Sequence, residues 1–410
     1  MRRRDFIKNS AYALSATALL SGCDNDKTQK AEKQVVRRKF KDIEVPLLGF
    51  GCMRLPMRNE KEVDMVELDR MIAYAMSHGI NYFDTAYMYV DSQSESAIGE
   101  ILSKYDRKSY FIADKLPIHN IEKPDDIRKI FDEQLKKCRV DYFDFYMAHN
   151  ICKHTYGKYF SLNIHEELLK LKKEGKIKYI GFSFHGDPEM LEKVLEEKNW
   201  DFCQLQINYL DWELINASEQ YSIARDAEVP VIVMEPLRGG ALVNLPPEPL
   251  AVLKRRLPNA NPVDFAFRWV SSLEGVVTVL SGMSNLDQVR QNAEIFENFN
   301  NISMEERFIA VDVARAIQSQ GEINCTACKY CIEYCPRGIN IPALISLYNL
   351  YKVNKDPSKF KFYYETIVEE ERAEACVKCG ICKGSCPQGL DIPAILEQIA
   401  QEYKRPLKKS

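Results

Sequence analysis

The stretch Asn81-Tyr-Phe-Asp84-Thr-Ala-Tyr-Met-Tyr89 joins a short β-favouring run to polar groups at its C-terminal end. Similar runs recur along the chain at Val45–Met53, Asn81–Ala86, Tyr110–Lys115, Tyr142–His149, Ile177–His185, Phe202–Leu210, Val229–Leu237 and Val276–Met283. Between them lie stretches with apolar residues at helical spacing, among them Leu68–His78, Glu95–Tyr105, Asp125–Cys138, Pro262–Ser272 and Asp287–Phe299. Such alternation over roughly 250 residues predicts an α/β fold, a (β/α)8 TIM barrel with its chemistry at the C-terminal ends of the strands. A doubly wound sheet is the alternative, but no G-x-G-x-x-G turn follows the first run.

Polar groups stand at three successive run ends. Asp84 and Tyr89 follow the second run, Lys115 ends Phe111-Ile-Ala-Asp-Lys115, and His149 ends Phe145-Tyr-Met-Ala-His149. Taken singly, a tyrosine is usually packing, a lysine or aspartate near a loop is usually solvated, and a lone histidine is usually structural. In barrel order the four converge on one pocket. This set, with its Asp-x4-Tyr spacing, resembles the catalytic tetrad of the aldo/keto reductases. The resemblance covers the whole barrel: Leu48-Gly-Phe-Gly-Cys-Met-Arg-Leu-Pro56, Gly181-Phe-Ser183, Gln206, and Gly282-x-Ser284-x3-Gln288-x3-Asn292.

The resemblance implies an NAD(P)-dependent oxidoreductase that interconverts a carbonyl and an alcohol, in a direction the tetrad does not encode, with a sugar among the candidate substrates. Tyr89 is the general acid, Lys115 lowers its pKa, Asp84 holds Lys115, and His149 orients and polarises the carbonyl oxygen. Ser183 and Gln206 hold the nicotinamide carboxamide, and Gly282, Ser284, Gln288 and Asn292 the adenosine phosphate end. Arg238, in Pro236-Leu-Arg-Gly-Gly240, is either a pyrophosphate contact or a surface arginine before a glycine turn. Phe184 stands where the family has an asparagine and Met234 where it has a stacking aromatic. A basic pair for the 2′-phosphate is missing in favour of the Gly-x-Ser-x3-Gln pattern, so NADP is preferred to NAD.

The C-terminal part carries one cysteine phrase twice: Cys325-x2-Cys328-x2-Cys331-x3-Cys335-Pro336 and Cys376-x2-Cys379-x2-Cys382-x3-Cys386-Pro387. Disulfides in an exported domain and zinc hooks are the other readings, but zinc ribbons use cysteine pairs, and here a third cysteine follows at the same spacing. The phrase is the bacterial ferredoxin signature for two [4Fe-4S] clusters. That likeness implies crossed ligand sets, Cys325, Cys328 and Cys331 with Cys386, and Cys376, Cys379 and Cys382 with Cys335. The repeat continues as Pro336-Arg-Gly-Ile-Asn340-Ile-Pro342 and Pro387-Gln-Gly-Leu-Asp391-Ile-Pro393, which predicts helices capped by Asn340 and Asp391 in a small, mainly α-helical dicluster domain. Cys52, Cys138, Cys152 and Cys203 lack metal spacing and read as buried small hydrophobes.

The expected organisation is 1–23 a signal, 24–41 a linker, 42–300 the barrel and 301–410 the cluster domain. Arg3-Arg4-Asp5-Phe6-Ile7-Lys8 resembles a twin-arginine motif, Ala11–Leu20 is an apolar run too short for a comfortable span, and Leu20-Ser-Gly-Cys23 resembles a lipobox. Lipidation of Cys23 implies an exported lipoprotein tethered on the periplasmic side, and the twin-arginine route carries folded, cluster-loaded proteins. The net charge of −3 and the absence of a basic stripe give no reason to expect nucleic acid. A carbonyl or alcohol substrate and a redox partner protein are expected; the alternative is an exported electron-transfer or docking protein whose barrel is catalytically silent.

Overall fold

The computed structural model describes residues 33–406 apart from 60, 154, 320, 322 and 355; the signal segment and Cys23 lie outside the described residues. The parallel strands Leu48–Gly51, Tyr82–Asp84, Phe111–Pro117, Phe143–Ile151, Ile177–Phe184, Phe202–Gln206, Val231–Met234 and Val276–Gly282 close on one another in chain order, the last pairing the first. Each lies within or closely overlaps an expected run, and the ends that shorten do so for local reasons. After Gln206, the Asn208 side chain accepts from the backbone N–H groups of Leu210 and Asp211 and turns the chain into the helix Asp211–Leu214. After Met234, Glu235 takes a left-handed conformation with φ 54°.

Two apolar layers hold the barrel. Strand and helix side chains such as Leu68, Ile98, Phe131, Leu168 and Val289 form the outer layer. The interior is filled by large rings: Phe145 lies 4.9 Å from Tyr82, 5.2 Å from Tyr179 and 5.3 Å from Phe202, centroid to centroid. Offset and edge-on aromatic pairs of this kind add to the area they bury. Helix Ser94–Leu102 lies so close to helix Pro124–Cys138 that a Cβ on Gly99 would meet the Lys137 carbonyl oxygen at 2.4 Å.

Two expected boundaries are corrected. Residues 33–41 are not linker: Arg37–Phe40 pairs antiparallel with Ile43–Pro46, and Phe40 enters the barrel floor against Phe145, Tyr179 and Phe202. A single buried ring in an otherwise polar segment gives no periodicity to detect. Likewise helix Met304–Ser319, expected in the cluster domain, buries Ile309, Ala310, Val313 and Ala314 in the barrel's core. The separate C-terminal core begins beyond it, where helices Ile341–Asn354 and Ile392–Lys404 pack Leu344, Ile345, Tyr348, Ile395 and Ile399 with Phe360 and Tyr364. Asn340 and Asp391 accept from the backbone N–H groups of Ala343 and Ala394 at the starts of these helices. No helix among the described residues is long and apolar enough to cross a membrane.

Candidate functional site

The strand register brings Asp84, Lys115 and His149 to one end of the barrel, with Gly51 beside Asp84 and Pro117 beside His149. Lys115 is fully buried and its Nζ donates to Asp84 and, at 2.7 Å, to the Thr85 carbonyl. Gln204 donates to the other Asp84 oxygen at 3.0 Å, so the carboxylate is gripped from two sides. Lys115 Nζ stands 4.8 Å from the centroid of the Tyr89 ring, and Tyr89 meets His149 edge to face at 6.0 Å. Three residues after Tyr89, namely Val90, Asp91 and Ser92, have φ of 54°, 50° and 64°. Non-glycine residues in this region cost on the order of 1 kcal/mol each, and such strain gathers at functional sites.

The electrostatics differ from the expected tetrad in one respect. Burial, followed by the Asp84 and Glu235 carboxylates, raises the Tyr89 phenol well above its ordinary value, and the expected lowering by Lys115 is not found. The reason is geometric: the ammonium is spent on Asp84 and Thr85 and faces the ring. Burial, and next the Lys115 charge, hold His149 well below the usual histidine range, so it is a neutral donor or acceptor. Its Nδ1 is buried without a partner.

A cavity of ≈ 340 Å³ opens from Tyr89 along the strand ends to Gly282, Ser284, Gln288 and Asn292. Asn285 caps the helix Leu286–Glu297 there by accepting from the Gln288 N–H, Glu67 accepts from the Leu286 N–H, and the dipole of a helix start suits a phosphate. Asp84, Tyr89 and Gln206 also line it. Two expected contacts are not there. Ser183 is not among the lining residues; its Oγ accepts from the Asn150 N–H at 2.8 Å. Arg238 is not a surface residue and does not line the cavity: it is buried, with Nε on Asp211 at 2.8 Å and Nη2 on Gln388 at 2.8 Å. The ion pair with the buried Asp211 holds it inside.

The cluster domain supplies part of the wall through Thr326, Cys328, Tyr330, Pro387 and Gln388. Tyr330 is buried, its hydroxyl 3.2 Å from His149 Nε2 and near enough to Tyr89 to act on its phenol. Gln388 forms a reciprocal amide pair with Gln206, both bonds 2.9 Å. Arg54, on the barrel side, donates to the Thr326 carbonyl at 2.9 Å. Glu235, whose Oε2 has no hydrogen-bond partner, also faces the cavity. Of these, Arg54, Glu235, Thr326, Tyr330 and Gln388 carry no role in the sequence reading. The repeat carries no signal that picks them out, since its copies differ at every position between the cysteines; the counterparts of Tyr330 and Gln388, Ile381 and Arg337, are exposed.

The eight cysteines surround two further small cavities. Cys325, Cys328, Cys331 and Cys386 line one; Cys335, Cys376, Cys379 and Cys382 line the other. All are free thiols. Their loops turn alike: Ala327 and Lys329 have φ of 53° and 66°, Lys378 and Gly380 of 54° and 79°. Backbone N–H groups of Ala327 and Lys378 donate to Cys325 and Cys376 sulfurs, each at 3.4 Å. Among the described residues no group of three or more His, Cys, Asp or Glu side chains is drawn together around a single point. Thiols spread around a cavity fit a multi-iron cluster. The cage of Cys325 abuts the barrel; that of Cys376 faces outward, with Cys379 exposed.

Known proteins bear on both halves. The Glycine max protein named "Probable aldo-keto reductase 1" is 30% identical over 222 residues, 52% of this chain and 61% of that protein. An aldo-keto reductase of Gibberella moniliformis is 27% identical over 239 residues, 56% of this chain and 66% of that protein. The chain thus spans less than two thirds of either relative. An aldo-keto reductase from Bacillus halodurans, solved in its holo form, superposes with a TM-score of 0.59 at 26% identity, covering 69% of this chain and 97% of that one. The family model for a 4Fe-4S dicluster domain matches residues 324–391. Since the Aldo/keto reductase family model matches residues 47–307, over a closed eight-stranded barrel with those strand-end residues, the chain belongs to the aldo/keto reductase family.

Proposed function

We propose that this chain is an oxidoreductase that interconverts a carbonyl and an alcohol at Tyr89, using a nicotinamide dinucleotide in the barrel cavity and two [4Fe-4S] clusters in the C-terminal domain. The observation that carries the reading is the contact of Asp84, Lys115, Tyr89 and His149 at the head of a cavity whose far end is a helix N-terminus. The nicotinamide would supply or accept the hydride. In the reducing direction Tyr89 gives its proton to the carbonyl oxygen while neutral His149 donates to the same oxygen from Nε2. Asp84 fixes Lys115 against the face of the Tyr89 ring, and with the phenol held high by burial Tyr89 keeps its proton until the carbonyl oxygen takes up charge. In the oxidising direction the same groups accept the proton. Gln206, Gly282, Ser284, Gln288 and Asn292 hold the dinucleotide, NADP in preference to NAD; polar walls at Gln204 and Glu235 suit a hydroxylated, sugar-like substrate.

The clusters exchange single electrons, whereas a hydride carries two. Two cages, one on the cavity wall and one facing solvent, match that count at one electron each, with a redox partner protein at the exposed Cys379. The second reading, a silent barrel used for docking, is favoured by one observation: Tyr330 and Gln388 already sit on His149 and Gln206. Tyr89→Phe separates the two. Turnover is expected to fall by roughly 10²–10⁴-fold while dinucleotide binding persists; full carbonyl reductase activity in the variant would defeat the tetrad. We also read Cys23 as a lipidation site on a twin-arginine-exported, membrane-tethered protein; loss of membrane association in Cys23→Ala is the test.

A further inference from the structure

We propose that the cluster domain is a reversible occupant of the barrel's own ligand site: Gln388 fills the carboxamide subsite and Tyr330 the reacting-oxygen subsite, so that dinucleotide and carbonyl enter as these two side chains withdraw. The inference rests on the hydride-transfer reading given above.

The chemistry of the two contacts carries it. Gln388 presents a primary carboxamide to Gln206: its Oε1 accepts from Gln206 Nε2 and its Nε2 donates to Gln206 Oε1, each at 2.9 Å. Any other primary carboxamide paired with Gln206 needs the same donor and acceptor. The second Gln206 donor bond, to Asp211 at 2.7 Å, leaves that amide no free edge. The Tyr330 hydroxyl lies 3.2 Å from His149 Nε2, on the imidazole that the Tyr89 ring meets edge to face and close to the Tyr89 phenol. His149 is absent from the cavity lining and Tyr330 is present in it, so the phenol screens the imidazole. One domain therefore reproduces a ligand's polar groups at two separate subsites.

Both occupants hang on one cage. Tyr330 sits between Cys328 and Cys331, and Gln388 follows Cys386 by two residues; all three cysteines line the inner cavity. Withdrawal of one side chain thus draws on the same loops as withdrawal of the other, and ligand loading is linked to the seating of the inner cage. Linkage of this kind is reciprocal. At the matching repeat positions Ile381 and Arg337 are exposed and meet no such partner in the barrel. A purely structural docking contact would need polar complementarity only; it would not need to be an amide on Gln206 and a hydroxyl on His149 Nε2.

The test measures the dissociation constant of NADPH for the full cluster-loaded chain and for Gln388→Ala, with the visible absorbance of the clusters confirming the domain is intact. Loss of the three bonds to Gln388 predicts binding at least about tenfold tighter. Tyr330→Phe keeps the ring and removes the hydroxyl; the carbonyl KM is expected to fall by about tenfold with kcat changed less than about threefold. Should alanine cost the cage its iron, Gln388→Asn pulls the amide off Gln206 at lower risk and gives the same readout. Measurable and equal affinity in parent and variant, or a Tyr330→Phe that loses kcat at unchanged KM, overturns the inference alone. No binding by either chain overturns the hydride-transfer reading, and the inference with it.

Discussion

Asp84→Asn tests the buried pair on which the site is built. Lys115 is 0% and Asp84 3% exposed, so water cannot take over the ammonium once the carboxylate is gone. Removing one partner of such a pair costs about 3–5 kcal/mol, because the remaining charge is left without compensation. At about 2–4 °C per kcal/mol for a barrel of this size, the apparent Tm should fall by about 6–20 °C. Lys115→Met should cost a similar amount, since Gln204 alone then faces the carboxylate. The double variant removes both charges and leaves chiefly the Thr85 carbonyl without its donor, a loss of about 1–3 kcal/mol. It should therefore be more stable than either single variant, with a coupling of several kcal/mol in the cycle. Thermal and urea unfolding of the four cluster-loaded proteins reads this directly. An Asp84→Asn variant within about 3 °C of the parent, or strictly additive losses in the double variant, would refute the argument that desolvation dominates this pair.

The crossed cages make a second prediction: Cys328→Ser combined with Cys386→Ala touches only the inner cage, so iron should fall from about eight to about four atoms per chain, whereas uncrossed cages would lose nearly all of it. A third concerns acid. Burial, the largest cause, pushes His165 from 6.5 down to about 4, with its Nδ1 3.1 Å from the Tyr159 hydroxyl. The native state then binds fewer protons than the unfolded chain between those values, so stability falls as the pH drops from about 6.5 towards 4, by about 2–3 kcal/mol in all. In His165→Asn this part of the acid slope should vanish from urea midpoints taken across that range; an unchanged slope would assign it elsewhere.

What could be read from the sequence follows from how far apart the interacting residues are. Strand alternation and strand-end position depend on a few consecutive residues, so the barrel, Asp84, Tyr89, Lys115 and His149 were visible together, and the cysteine phrase set out both cages with their crossing. Phe40 was missed because one ring in a polar segment has no period, and Arg238 was open because its partner Asp211 is buried by a turn after the sixth strand. The Tyr89 environment differs for a subtler reason: the residue types give a lysine paired with Asp84 near a phenol, but only the fold decides that burial governs the phenol and that the ammonium faces its ring. The deepest omission has the longest reach. His149 meets Tyr330 across 181 residues and Gln206 meets Gln388 across 182, and no local pattern records such a pairing. The two copies keep their cysteines and prolines but differ at all seven positions between the cysteines, so the sequence alone does not pick out Tyr330 against Ile381, or Gln388 against Arg337 beyond them; only the fold shows that there one copy meets the barrel and the other meets solvent. In a duplicated domain such differences widen the search for what the domain touches, and the contacts across 181 and 182 residues narrow it.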